Sequence, residues 1–249
     1  MAKKGFSSLL IKLIFCFIVI NLFLNSNAFS SSLDSRIKNS LDVLKELRYV
    51  SDAGIPDDLL ARCHAIAIFP SVYKAGFIIG GSYGKGLVMV KSDKKVGWNG
   101  PVFLTIGSGS LGWQIGVEAT DLILVIMNKR GIDSLTKENF VLGGDMSVAA
   151  GPIGRKLRAG TDITISAEIY SYSRTKGLFA GISLDGSYIH HDIDADELFY
   201  GKPYTIYEIL YGNLPIQPKA QELINYLNSC CGIKYEGNPH SSNDNLRTN

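Results

Sequence analysis

The stretch GSGSLGWQIG, Gly107 to Gly116, sets Gly107, Gly109 and Gly112 at the spacing G-x-G-x-x-G, whose missing side chains can let a backbone cradle a pyrophosphate. That chemistry needs a strand before the glycines, a helix opening at their end and an acidic residue about twenty positions on. Val102 to Ile106 supplies a strand, but Trp113, Gln114, Ile115, Gly116 and Val117 are poor helix starters, and Asp133 follows no strand end. Nucleotide binding is set aside, and no cofactor is expected. The same stretch offers Ser108 and Ser110 as hydroxyl nucleophiles: Ser108-Gly109-Ser110-Leu111-Gly112 is a near miss to a nucleophile elbow, with Ser where the first Gly belongs. No His or acid can be assigned to it, so a serine hydrolase is only a minor alternative.

HHDIDADE, His190 to Glu197, is the other chemically dense segment. Asp192, Asp194 and Asp196 have calcium-loop spacing, but Glu197 stands where such a loop needs glycine, and adjacent His190 and His191 on a strand end would face opposite ways. The expectation is a strand-to-helix turn with Asp194 capping the helix, and no metal. Cys63, Cys230 and Cys231 include no C-x-x-C, which argues against zinc; a bridge from Cys63 to Cys230 or Cys231 is geometrically open.

These residues must be positioned by elements of three kinds. Leu33, Ile37, Leu41, Leu44 and Leu47 recur at three- and four-residue steps, which predicts an amphipathic helix over Ser32 to Val50, packed on the domain or lying on a membrane. Gly54-Ile55-Pro56 breaks it, and a short helix follows from Asp57 to Cys63. Strands are predicted at Ala65 to Phe69, as a hairpin over Gly76 to Lys91 turning around Ser82 to Gly86, and at Val102 to Ile106, Leu122 to Met127, Ile163 to Tyr170 and Leu178 to Ile189. A polar helix at Ile132 to Asn139 interrupts them. In DITISAEIYSYS the alternation of Ile163, Ile165, Ala167 and Ile169 with polar residues predicts a sheet with one wet face. Short helices at Ala195 to Phe199, Ile206 to Tyr211 and Lys219 to Ser229 close the chain. The fold class is therefore α+β: a glycine-rich, strongly twisted antiparallel sheet, barrel- or sandwich-like, with an N-terminal amphipathic helix and short C-terminal helices. Glycine weakens a strand unless a bulge, a twist or close approach of another group requires it. Gly76, Gly80, Gly81, Gly84, Gly86, Gly107, Gly109, Gly112 and Gly116 are read as bending the sheet and admitting Trp98, Trp113 or a ligand to its backbone.

The N-terminus has the layout of a signal peptide: Lys3, Lys4 and Lys12, an apolar run from Leu13 to Leu24, then Ser26-Asn27-Ala28. A retained anchor over Leu9 to Leu24 is the alternative. The domain expectation is a signal over 1–28, one domain over 29–229 and a polar tail over 230–249. Loss of the signal lysines takes the formal charge from +2 to about −1, which gives no general reason to bind nucleic acid.

KAGFIIGGSYGKGLV, WNGPVFLTIGSGSLGWQIGVEATDLILVI, FVLGGDMSVAAGPIGR and YSYSRTKGLFAGISLDGS, in this order and spacing, resemble the SYLF domain family, from about Leu33 to Gly212. The resemblance implies a lipid-binding domain without catalysis. It also implies, for exported bacterial members, this domain behind a signal peptide; eukaryotic members bind phosphoinositide membranes through the N-terminal helix, and some bind actin. The expected partners are phospholipids or a membrane surface, with no actin for an exported chain, and the expected location is periplasmic or secreted, peripherally membrane-associated. A protein-interaction module is the alternative. From residue chemistry, the candidate lipid contacts are Lys74 and Lys85 beside the glycines, Arg155, Lys156 and Arg158 after GPIG, Arg174 and Lys176 in a turn, and Trp98 and Trp113.

Overall fold

The computed structural model describes residues 32–46, 54–76, 79–92, 97–111, 116–137, 140–152, 167–175, 178–180, 184, 186–212 and 214–231. The expected signal segment, the polar tail beyond Cys231, and the candidates Trp113, Arg155, Lys156, Arg158 and Lys176 lie outside the described residues.

Helix α1 spans 32–46, and its stripe of Leu33, Ile37, Leu41 and Leu44 is buried, together with Val43. Of the two expected roles for this helix, the stripe serves packing on the domain. Helix α2 (Asp57–Arg62) leads into four long strands: β1 (Ala65–Gly76), β2 (Ile79–Lys91), β3 (Trp98–Leu111) and β4 (Gly116–Ile126). After α3 (Lys129–Leu135) come β5 (Phe140–Val141), β6 (Val148–Ala150), β7 (Ile169–Thr175), β8 (Leu178–Ala180) and β9 (Tyr188–His191). Helices α4 (Ile193–Tyr200) and α5 (Ile206–Tyr211), a 3-10 turn (Pro218–Ala220) and α6 (Gln221–Cys230) finish the described chain. The strands form one strongly curled, half-barrel sheet in the order β5-β9-β3-β2-β1-β4-β7-β6, with β8 paired to β7. All pairings are antiparallel except β6 with β7.

Both faces of the sheet's inner half are covered. Ile66, Ile68, Leu87, Met89, Phe103, Ile123 and Val125 point to one side, where α1, α2 and α6 pack; Ala65, Ala67, Phe69, Val88, Val102, Leu104, Leu122 and Leu124 point to the other, under α3 and α5. Of the expected wet face, 161–166 lie outside the described residues and Glu168 is half-buried, while Ile169 to Ser173 of β7 are buried on both sides.

Two strand readings change. Pro70 does not end β1, because the strand passes it through an irregularity between Phe69 and Val72; there Ser71 takes φ 60° and its N–H donates to Asp121 Oδ1 at 3.0 Å. Ser82 to Gly86 is not a turn but the middle of continuous β2. A Cβ on Gly86 would overlap the Ile68 carbonyl and the Phe69 ring, so the missing side chain admits a cross-strand aromatic ring instead of reversing the chain. Cys230 and Cys231, expected in the tail, close α6 and are buried.

Candidate functional site

Most of the strand glycines fall in the outer halves of β1 to β4, at Gly76, Gly80, Gly81, Gly84, Gly107, Gly109 and Gly116. Directly opposed residues of neighbouring strands share a face. Tyr188 lies opposite Gly107, Gly107 opposite Tyr83, Tyr83 opposite Tyr73, and Tyr73 opposite Ala119. Three tyrosines from β9, β2 and β1 therefore stand in one row on one face, at 42%, 52% and 57% exposure for Tyr188, Tyr83 and Tyr73. A Cβ on Gly107 would lie 2.5 Å from the Tyr188 ring, so this glycine lets the ring lean onto the strand. One step outward, Gly81 opposes Gly109, and a Cβ on Gly109 would meet nothing within 4 Å. The row thus borders open backbone.

The face's inner boundary is ionic. Thr105 pairs with His190 and with Lys85, and Asp121 pairs with Arg174. Lys85 Nζ is 3.5 Å from Asp192 Oδ2, which also accepts from Arg36 Nη1 of α1 at 2.9 Å. Arg36 is buried, with its guanidinium 5.1 Å from the centre of the Phe103 ring. At the far end of α1, Glu46 meets Arg174, whose Nε also donates to Asp121 at 2.8 Å. Two clamps therefore hold α1 across the sheet just inside the tyrosine row.

Behind the first clamp, Asp196 is buried; it accepts from the Phe103 N–H at 3.0 Å, and its other oxygen lies 2.5 Å from His191 Nε2. Burial pushes its carboxyl above the ordinary value of 3.8, against the opposing hydrogen bonds from His191 and Phe103. HHDIDADE is accordingly a joint between sheet and helix. Its N-cap position is Asp192 and not Asp194, because α4 starts at Ile193; the Asp192 carboxylate is turned to Arg36 and makes no side-chain cap bond. No group of three or more His, Cys, Asp or Glu side chains among the described residues is arranged for a metal ion. Cys63, Cys230 and Cys231 are buried free thiols, with Cys230 Sγ 3.3 Å from Cys231 Sγ. Side-chain hydrogen bonding with Cys230 and Cys63, together with burial, pushes the Cys231 thiol well up.

The proposed contacts separate accordingly. Lys74 is exposed on the opposite face, opposed to Ser82 and Glu118. Lys85 borders the tyrosine row, and Arg174 is part of the α1 clamp. Trp98 is 0% exposed in the core beneath Lys91 and is withdrawn as a surface contact. Ser108 Oγ is 2.7 Å from Ser82 Oγ, a pairing of hydroxyls that supplies no base. Gly107 and Gly109 lie within a strand that is followed by another strand, so the fingerprint spacing has no helix to open. The tyrosine row was missed in the sequence. Its signal was there, in tyrosines embedded among strand glycines, but seeing it requires the cross-strand register.

Fold and face define a class: an α+β domain on a curled sheet, whose exposed aromatic residues stand on an open strand face. Residues 107–230 match the Ysc84 family, Las17-binding protein actin regulator. Over 211 residues the chain is 33% identical to SH3 domain-containing YSC84-like protein 1 of Homo sapiens, covering 82% of this chain and 61% of the relative. The Xenopus laevis counterpart is 34% identical over 225 residues, at 88% and 66% coverage, and Protein YSC84 of Saccharomyces cerevisiae is 32% identical over 212 residues, at 82% and 45%. The chain belongs to the Ysc84, or SYLF, family. It spans less than two thirds of the length of these relatives.

Proposed function

We propose that this chain is a lipid-surface-binding domain without catalysis, which docks on membranes through the tyrosine row. The observation that carries it is the alignment of Tyr73, Tyr83 and Tyr188, half exposed, beside the open Gly81–Gly109 pair. Tyrosine joins an apolar ring to a polar tip, the combination favoured at membrane interfaces. Charge plays the smaller part. A basic residue near an anionic surface contributes about 1 kcal/mol, and Lys85 and Arg174 are already engaged with carboxylates. The amphipathic helix enters the reading as the support of this face, since its apolar stripe is in the core.

Export belongs to the same proposal and rests on the N-terminal residues alone: cleavage after Ala28, then a periplasmic or secreted, peripherally membrane-bound domain. Actin is left out of the proposed partners of such a chain; pelleting with actin filaments would contradict that.

Liposome flotation tests the function. The wild type should float with anionic and with neutral vesicles, and Tyr73→Ser with Tyr83→Ser should reduce the floated fraction severalfold without lowering the melting temperature. A second reading, a protein-interaction module using the same face, is favoured by the family's description as Las17-binding. It gains if flotation is blank for every lipid and a stoichiometric partner copurifies with the wild type but not with the double variant.

A further inference from the structure

Three thiols lie in the helix layer, and the membrane reading makes no use of them. Cys63 stands at the C-cap of α2, and Cys230 and Cys231 close α6. All three are buried in the cluster that Leu59 and Leu60 of α2 share with Leu223 and Leu227 of α6. Cys231 Sγ lies 3.3 Å from Cys230 Sγ and is also in hydrogen-bonding contact with the Cys63 side chain. One buried cysteine packs as a small apolar residue, but here the sulfurs of two helix ends converge. They are not arranged for a metal ion. The reaction open to paired thiols is oxidation to a disulfide.

Geometry selects the pair. A disulfide needs Cα atoms about 4.4–6.8 Å apart, whereas neighbours across a trans peptide stand about 3.8 Å apart. Cys230 and Cys231 therefore do not bridge each other, however close their sulfurs, and Cys63 must be one partner. Cys231 is the other: it touches Cys63, while Cys230 Sγ also faces the Leu227 carbonyl of its own helix at 3.7 Å. A bridge here would have a definite mechanical effect. Without it, α6 is held by the packing of Leu223, Ile224 and Leu227, and by two ion pairs to α1. These are Lys45 to Glu222 at 2.9 Å and, from the 3-10 turn before α6, Lys219 to Asp34 at 2.8 Å, both exposed enough to contribute little.

We propose that Cys63 and Cys231 form a disulfide that locks α6 onto α2 and leaves Cys230 as a thiol. Two S–H bonds break and one S–S bond forms; the two electrons and two protons pass to a disulfide oxidant, which is reduced to two thiols. Hydrogen bonding and burial hold the Cys231 thiol protonated in the folded protein, where exchange is slow, so the bridge is made as the chain folds. In the cell the oxidant is that of an oxidising compartment, and to that extent the proposal rests on the export reading. Its chemistry in vitro does not. The full chain is unfolded, reduced and refolded in a mixture of reduced and oxidised glutathione, quenched with acid, alkylated and digested with trypsin for tandem mass spectrometry. Peptide 63–74 should be linked to peptide 220–234 through Cys231, with Cys230 alkylated. The bridged protein should melt several degrees above protein refolded with dithiothreitol. Cys63→Ser should melt alike after both treatments, and Cys230→Ser should keep the difference; the linked peptide, read on the wild type, stands whether or not the variants fold. No linked peptide, a link through Cys230, Cys63 held as a mixed disulfide with glutathione, or a bridged chain that melts no higher than the reduced one would overturn the proposal. Alkylation in intact cells separates it from export: a bridge made on refolding but absent from the cell would discard export alone, and a chain cleaved after Ala28 that never bridges would discard the disulfide alone.

Discussion

At the scale of single residues, glycines that look alike in the sequence do different work. Gly86 lies under the Phe69 ring and against the Ile68 carbonyl, so Gly86→Ala must displace buried groups and should cost about 3 kcal/mol, as overpacking does. Gly109 meets nothing, and Gly109→Ala should leave stability within about 0.5 kcal/mol of wild type. Urea denaturation of the pair checks both; equal costs would contradict the packing account. Composition shows that the strands bend, but not which ring fills which gap, because Phe69 and Gly86 meet only through the β1–β2 register. Asp196 gives a pH prediction at the same scale. Its carboxyl is raised by burial, so the folded state holds the proton more tightly than the unfolded chain. That stability is fully present below the ordinary value of 3.8 and is lost as pH rises through the folded value. Asp196→Asn keeps the acceptor for the Phe103 N–H, so wild-type stability should fall relative to the variant as pH rises from about 4. A difference that stays flat with pH would contradict it.

At the scale of elements, the periodicity of α1 correctly marks an amphipathic helix, but periodicity alone cannot say whether its apolar stripe meets protein or membrane. Core residues from β2, β3 and β4 settle the matter: Leu44 and Ile37 pack in one cluster with Leu87, Phe103 and Ile123. Leu44→Ala should therefore cost about 3 kcal/mol in thermal or chemical unfolding, the range of a large-to-small core change. A helix that merely lay on lipid would show no such loss. Helices α2 and α5 are legible almost to the residue, because Pro56 at one and the Thr205–Glu208 capping box at the other are written locally. The strands are less legible. Pro70 and the glycines of β2 imitate turn signals, and only pairing on both sides with β2 and β4 carries β1 through its irregularity. The wet face read from Ile163 to Ile169 falls mainly on 162–166, outside the described residues; in β7, Ile169 and Tyr172 are buried in clusters on opposite sides of the sheet.

At the scale of the whole molecule, a half-barrel sheet is covered on both faces in its inner half, carries exposed tyrosines among the described residues of its outer half, and is crossed between the two by α1 with its two ionic clamps. The family resemblance was legible in linked motifs, but the candidate face was not, since Tyr188 lies more than a hundred positions beyond Tyr73 and Tyr83 and joins their row only when β9 pairs with β3. The most direct test of the membrane account uses fluorotyrosine-labelled protein bound to vesicles that contain nitroxide-labelled lipid. Resonances of Tyr73, Tyr83 and Tyr188 should broaden strongly, while that of buried Tyr172 stays sharp. Bound vesicles that leave all three unchanged would show that the membrane is met by some other surface.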